Sequence, residues 1–136
     1  MMKRVKPVNG VDTTGSAARI GENTSIVTST RPAGAPDTIV LTATGELDMM
    51  TAPDLENAVR EALSEQPAAL VIDLTNVEFL SSAGIAVLLF AHSDDRVPLR
   101  VVAAERIVLR PLELSGLTSE LAIHPTLRSA LDRAIR

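Results

Sequence analysis

The sequence contains no cysteine, no tryptophan and no tyrosine, and two phenylalanines bring its aromatic content to only 1%. Without cysteine the chain can form neither disulfides nor thiolate–metal sites, which fits a reducing compartment. Nucleic-acid-binding faces combine basic charge with aromatic side chains that stack on bases. Because the formal net charge is −4 and aromatic residues are scarce, the sequence argues against direct nucleic-acid binding.

Long apolar runs are also missing. The chain has no stretch of about 18 consecutive apolar residues, the length that suggests a membrane span. Residues 5–22 contain no apolar segment of the kind that a secretory signal needs. No metal-ligand or phosphate-loop motif is present, so the sequence predicts no metal and no cofactor. Together these absences predict a cytoplasmic protein without a membrane partner.

The 136 residues that are present, 46% hydrophobic and 22% charged, are typical of one globular domain with its own core. Residues 1–24 mix Gly, Thr, Ser, Asn and Pro with scattered charge and show no period. We therefore predict a disordered tail over 1–24 and a folded domain over 25–136.

Within the domain, strand-like and helix-like segments alternate in the order β-β-α-β-α-β-α-β-α. The predicted strands span 25–30, 38–44, 69–74, 99–104 and 121–123, and the predicted helices span 51–66, 82–91, 105–114 and the region from 124 onwards. The first two strands are expected to pair as a hairpin, after which residues 45–48 leave the sheet. Strands that alternate with helices predict a largely parallel sheet of four to five strands with right-handed crossovers. The segment 69–74 is apolar without alternation, which indicates a central strand covered on both faces.

Two adjacent serines, Ser81 and Ser82, stand between that strand and an apolar helix. Serine is a favoured N-cap, because its oxygen accepts hydrogen bonds from the free amides of the first turn. The same amides and the helix dipole suit an anion such as phosphate. The helix over 82–91 has no polar face, so we expect it to be buried around most of its circumference. Its N-terminal end is then the part that is presented to other molecules, although serines in this place are often caps and nothing more.

Three segments, taken together and in order, resemble motifs of the bacterial anti-sigma factor antagonists. Residues 45–52 are similar to the Gly-Glu-Leu-Asp segment of that family, residues 73–84 to its phosphorylation loop, and residues 112–117 to its later Ser-Gly-Leu turn. The similarity extends from about Ser25 to the C-terminus. It implies a STAS domain, a single α/β domain whose mixed, mostly parallel sheet carries helices chiefly on one side.

The resemblance also implies a function. Such antagonists, when unphosphorylated, bind an anti-sigma factor that is also a serine kinase and so release a sigma factor. The kinase then phosphorylates a serine at the start of the second helix and the antagonist dissociates, after which a phosphatase resets it. The implied partners are therefore an anti-sigma factor kinase and a phosphatase.

Compared position by position, the family's phosphorylated serine corresponds to Ser82. Ser81 replaces the family's preceding Asp and offers an alternative acceptor, and Ala83 replaces a second hydroxyl residue. The resemblance implies a partner-binding surface formed by Asp48, Met49, Met50, Leu80, Ser81, Ser82, Ala83 and Gly84. Gly84 is expected to leave the loop open to a close partner backbone.

Several of these residues have a second interpretation. Asp48 can simply help to cap the first helix, for which Thr51 is the predicted N-cap. Met49 and Met50 suit an adaptable binding surface, but they can equally pack into the core.

Two other functions stay open. A hydrolase would need a nucleophile, a base and an orienting group, and a triad of Ser82, His92 and Asp48 would require an unexpected bend in the fold. We therefore predict that the protein is not an enzyme. A STAS domain can also act as a non-switching scaffold or as a sensor of a small ligand or nucleotide.

Overall fold

Five strands form one mixed sheet in the computed structural model, which describes residues 25–134. The strands are β1 (Ser25–Thr30), β2 (Thr38–Leu47), β3 (Ala69–Leu80), β4 (Leu99–Val102) and β5 (Ile123–His124), and the helices are α1 (Ala52–Ser64), α2 (Ser82–His92), α3 (Arg106–Leu114) and α4 (Leu127–Ala134). The five strands lie side by side in sequence order. Strand β1 is antiparallel to β2, and every other neighbouring pair is parallel. The predicted element order, hairpin and mostly parallel sheet are confirmed, whereas the predicted tail lies outside the described residues.

The core lies on both faces of this sheet, because successive side chains of a strand point in opposite directions. In β2, Ile39 and Leu41 belong to the large cluster that contains side chains of α1, α2 and α3. Val40, between them, packs with Val71 and with Ala130 of α4 on the opposite face. Three helices therefore cover one face and α4 covers the other, which confirms that the helices lie chiefly on one side. It also explains the apolar, non-alternating sequence of β3.

Strands β2 and β3 continue past the ends predicted for them, to Leu47 and Leu80. The prediction that the chain leaves the sheet at Gly45 is wrong. Gly45 has a φ of 97°, a value that glycine adopts without steric cost. The β2–β3 register also shifts twice, between residues 42 and 44 and between Gly45 and Glu46. These irregularities let the strands bend and remain paired up to their last residues.

Helix α3 runs through Pro111. Gly116, with a φ of 74°, follows its end, and the Leu117 amide donates to the carbonyl of Leu112 at 2.9 Å. This is the helix ending that glycine favours. Among residues 25–134, no helix combines the length and apolar character that crossing a bilayer requires.

Candidate functional site

The ends of β2 and β3 bring two loops together at one edge of the sheet. Leu47 pairs with Leu80 in the parallel register, and the Ser81 amide donates to the Leu47 carbonyl at 2.9 Å. The chain after β2 forms the short loop before α1, and the chain after β3 turns directly into α2. The segments that the sequence singles out, 48–51 and 81–84, are therefore neighbours.

Ser81 is the N-cap of α2. Its backbone is extended, with φ −90° and ψ 176°, and its Oγ accepts a hydrogen bond from the Ala83 amide at 3.2 Å. The side chain is half-buried. Serine and aspartate are comparably good N-caps. The aspartate that the resemblance implies at this position would cap the helix as Ser81 does, and it would add one negative charge beside Ser82.

Ser82 is the first residue of α2, and it is exposed. Its hydroxyl makes no hydrogen bond to any residue in the part of the chain that the structure describes. The helix dipole places partial positive charge at this position. A hydroxyl that is accessible and unengaged can enter another protein's active site without first breaking an interaction, which favours Ser82 over Ser81 as an acceptor.

The loop before α1 is held by hydrogen bonds that converge on Thr51. Its buried Oγ1 lies 2.6 Å from the Glu46 carbonyl, to which it donates, and accepts from the Asp48 amide at 2.9 Å. Asp48 Oδ1 accepts from the amides of Met50 at 2.9 Å and of Thr51 at 3.1 Å. Thr51 is the N-cap residue of α1, as predicted, but its side chain makes no cap hydrogen bond and instead donates to the Glu46 carbonyl. Asp48 thus shapes the loop ahead of the helix.

Met49 and Met50 project from this loop into solvent. Their exposed fractions are 78% and 59%, so the alternative that they pack into the core is wrong. Large apolar side chains exposed close together on a soluble domain are a common sign of an interaction surface.

Two further exposed apolar side chains, Phe79 and Leu89, are absent from the predicted site. Their exposed fractions are 48% and 39%. The outward face of α2 carries Ser82, Ala86, Leu89 and His92, all exposed, so the expectation that α2 is buried around most of its circumference has to be corrected. The sequence contains a signal for this exposed face, because Ser82 and His92 are the polar residues of an otherwise apolar helix and mark its solvent side.

Leu80 and Gly84, which the resemblance places on the partner-binding surface, are both buried in this fold. A Cβ on Gly84 would lie 2.7 Å from Leu80 Cδ1, 3.1 Å from Leu47 Cβ and 3.3 Å from the Leu47 carbonyl oxygen. Glycine is therefore needed for α2 to approach the ends of β2 and β3. We define the Ser82 surface by the exposed side chains of the β2–α1 loop and of the outward face of α2: Met49, Met50, Ser82, Ala86 and Leu89.

The hydrolase triad is not assembled in this fold. Ser82 and His92 are the first and last residues of α2, ten residues and about 15 Å apart along the helix axis. Asp48 is engaged by the amides of its own loop. A proton relay through these three residues is geometrically excluded.

Comparison with known proteins agrees with this fold. The model of the family described as "Mlab, STAS domain" matches residues 30–128. The chain therefore belongs to the STAS domain family. It is 40% identical over 94 residues to the anti-sigma-F factor antagonist RsfB of Mycobacterium tuberculosis, across 68% of this chain and 77% of RsfB. Within the family it belongs with the anti-sigma factor antagonists, as the three sequence motifs predict.

Solved structures show the same relationship. An anti-sigma factor antagonist from Mycobacterium paratuberculosis superposes with a TM-score of 0.76 at 34% identity, covering 82% of this chain and 95% of that one. The anti-sigma factor antagonist SpoIIAA of Bacillus, in its unphosphorylated form, has a TM-score of 0.63 at 17% identity and covers 79% and 96%. At that lower identity the likeness establishes the fold alone.

Proposed function

We propose that this chain antagonises an anti-sigma factor by partner switching in the cytoplasm. Unphosphorylated, it binds an anti-sigma factor that is also a serine kinase, and this releases a sigma factor. The kinase phosphorylates Ser82, the antagonist dissociates, and a phosphatase restores it. The 40% identity to a protein named as an anti-sigma-F factor antagonist supports the partner class.

The observation that carries the proposal is the exposed, unengaged hydroxyl of Ser82 among exposed apolar side chains. A partner that covers Met49, Met50 and Leu89 removes large apolar side chains from water. Complete burial of one such side chain contributes about 1.5–3 kcal/mol. The Ser82 surface is therefore suited to docking, and the acceptor hydroxyl lies within it.

Phosphorylation at this position acts on docking and leaves the fold intact. A phosphate on Ser82 adds roughly −1.5 to −2 charges and three acceptor oxygens. The N-terminus of α2 favours negative charge, so the helix has no reason to unfold. In a docked interface the same charge would have to lose its water among apolar side chains, which is strongly unfavourable. Partner release follows from that difference.

The catalytic base for the transfer comes from the kinase. A serine hydroxyl needs a base to become a nucleophile, and no imidazole or carboxylate among the described residues is hydrogen-bonded to Ser82 Oγ. The chain therefore takes part as the phosphoryl acceptor.

Phosphate mapping tests the acceptor. The chain is incubated with ATP and a panel of anti-sigma factor kinases from the source genome, and with the anti-sigma-F factor of M. tuberculosis, and the product is mapped by mass spectrometry. We expect phosphate on Ser82, none in Ser82→Ala, and unchanged phosphorylation in the matched control Ser81→Ala. Phosphate on Ser81 would contradict the assignment of the site.

A binding measurement separates the switch from a non-switching scaffold. We expect Ser82→Glu, which places negative charge at the acceptor position, to weaken the complex with the same kinase. Tight binding that Ser82→Glu leaves unchanged would keep the partner and reject the switch.

A further inference from the structure

We propose that Met49 and Met50 are an oxidation site within the Ser82 surface, through which peroxide or hypochlorite weakens binding of the anti-sigma factor. This inference rests on the proposed function, because it concerns the same docking surface. It assigns a second covalent modification to that surface, on sulfur in place of oxygen.

Both sulfur atoms belong to strongly exposed side chains. Met49 is 78% exposed and Met50 is 59% exposed. The chain contains no cysteine, so methionine provides its oxidisable sulfur, and two of its four methionines are these residues. Exposure and sulfur type together make the pair the chemically accessible target within the described domain.

The loop cannot withdraw these side chains into the core. Met50 is held through its amide, which donates to Asp48 Oδ1, and the Thr51 hydroxyl bridges the loop to Glu46. Leu47 and Leu55, which flank the loop in sequence, are already fully buried in the core cluster, to which neither methionine belongs. The sulfurs therefore stay accessible for as long as the surface is unoccupied.

The reaction with peroxide is a two-electron oxygen transfer. A lone pair of the methionine Sδ attacks one peroxide oxygen, an S–O bond forms and the O–O bond breaks. The proton on the transferred oxygen passes to the second oxygen, which leaves as water. With hypochlorite the O–Cl bond breaks instead and chloride leaves. The sulfur is oxidised and the peroxide is reduced. The product is methionine sulfoxide, which methionine sulfoxide reductases return to the thioether with a dithiol reductant.

Oxidation changes the surface and leaves the fold as it is. The sulfoxide is polar, so burying it against a partner loses the favourable transfer of an apolar side chain from water. Neither methionine belongs to the core clusters, so the domain has no packing to lose. The chain then loses its partner although Ser82 carries no phosphate.

The experiment measures oxidation and binding on the full chain. The protein is treated with hydrogen peroxide or hypochlorite, peptide mapping locates the sulfoxides, and affinity is measured for the anti-sigma factor that binds the untreated chain. The double variant Met49→Leu/Met50→Leu receives the same treatment and is compared only with its own untreated form. Thermal unfolding checks that each treated sample stays folded.

We expect sulfoxide on Met49 and Met50, an unchanged unfolding temperature, and affinity weakened by at least about tenfold. The reductases should restore binding, and the double variant should respond to oxidant less than about twofold. Oxidised wild type that binds as well as the untreated chain, or a double variant that loses binding equally, overturns the inference and leaves the proposed function standing. If the untreated chain binds no anti-sigma factor, the proposed function fails and the inference fails with it.

Discussion

Ser81 and Ser82 are adjacent and chemically alike, yet the structure gives them different surroundings. The Ser81 hydroxyl caps α2 and is half-buried, whereas that of Ser82 is exposed. The sequence predicts the helix start, because serine before an apolar segment is a recognised signal. The sequence does not show which of the two serines is the cap. That choice is set by the hydrogen bond between the Ser81 amide and the end of β2, a contact between segments that are distant in sequence.

Stability measurements distinguish the two serines. We expect Ser81→Ala to lower the free energy of unfolding by about 1 kcal/mol, because the Ala83 amide loses its cap, and Ser81→Asp to restore most of that loss. Ser82→Ala should stay within about 0.5 kcal/mol of wild type, as exposed substitutions usually do. Urea denaturation measures all three variants. Equal losses for Ser81→Ala and Ser82→Ala would contradict the capping assignment.

Gly84 offers a second test at the level of single residues. We expect Gly84→Ala to destabilise the domain by about 1–3 kcal/mol, because the added Cβ meets Leu47 Cβ at 3.1 Å and the Leu47 carbonyl oxygen at 3.3 Å. The matched control is Gly34→Ala, where nothing lies within 4 Å of the added atom. Urea denaturation should show a loss for the first variant and almost none for the second. A neutral Gly84→Ala would mean that α2 does not need this close approach.

At the scale of elements, the loop between β2 and α1 depends on the Thr51 hydroxyl. We expect Thr51→Val to cost about 1–3 kcal/mol, because the Asp48 amide and the Glu46 carbonyl each lose a buried partner. Binding to the anti-sigma factor should also weaken, since the loop no longer holds Met49 and Met50 in place. Thr44→Val, at an exposed position of β2, is the matched control. Denaturation and binding measurements that show equal effects for both variants would contradict this role.

Helix α3 carries an ion pair whose effect depends on pH. Arg106 donates to both carboxylate oxygens of Glu113, each at 2.9 Å, and these hydrogen bonds lower the pKa of the Glu113 carboxyl. A carboxyl whose pKa is lower in the folded state stabilises the fold at pH values above its unfolded-state pKa. This contribution is lost as the pH falls through the folded-state pKa.

Because the pair is exposed, its contribution is small. We expect Glu113→Gln to reduce slightly the fall in unfolding temperature between about pH 5 and pH 3, measured by calorimetry. The control is Glu61→Gln, an exposed carboxylate with no ion pair among the described side chains. If the unfolding temperature of Glu113→Gln fell more steeply with acid than that of wild type, the assigned direction of the Glu113 pKa shift would be wrong.

The element order was predictable from sequence, but two features of the elements were not. The alternation of apolar segments identifies every strand and helix, because each element needs a buried face. The strand extensions to Leu47 and Leu80 depend on register shifts between β2 and β3, which the strands acquire only when they pair. The same register shifts come before Phe79 in the chain. A strict alternation of inward and outward side chains therefore does not predict that Phe79 is exposed.

At the scale of the whole molecule, the predicted switch is a change of surface on a constant fold. We expect the NMR spectrum of the Ser82-phosphorylated chain to change at the start of α2 and in the loop that contains Met49, with core signals such as that of Leu70 unchanged. Leu70 is fully buried in the central strand and reports on the packed sheet. Widespread shifts in β3 and β4 would indicate a rearranged core and contradict this mechanism.

The central claim is that one phosphate on Ser82 separates this chain from its anti-sigma factor. The most direct test is the dissociation constant of that complex, measured by titration calorimetry with unphosphorylated chain and with chain whose single phosphate is mapped to Ser82. The account predicts that phosphorylation weakens binding by at least about a hundredfold. Equal affinity of the two forms would contradict it.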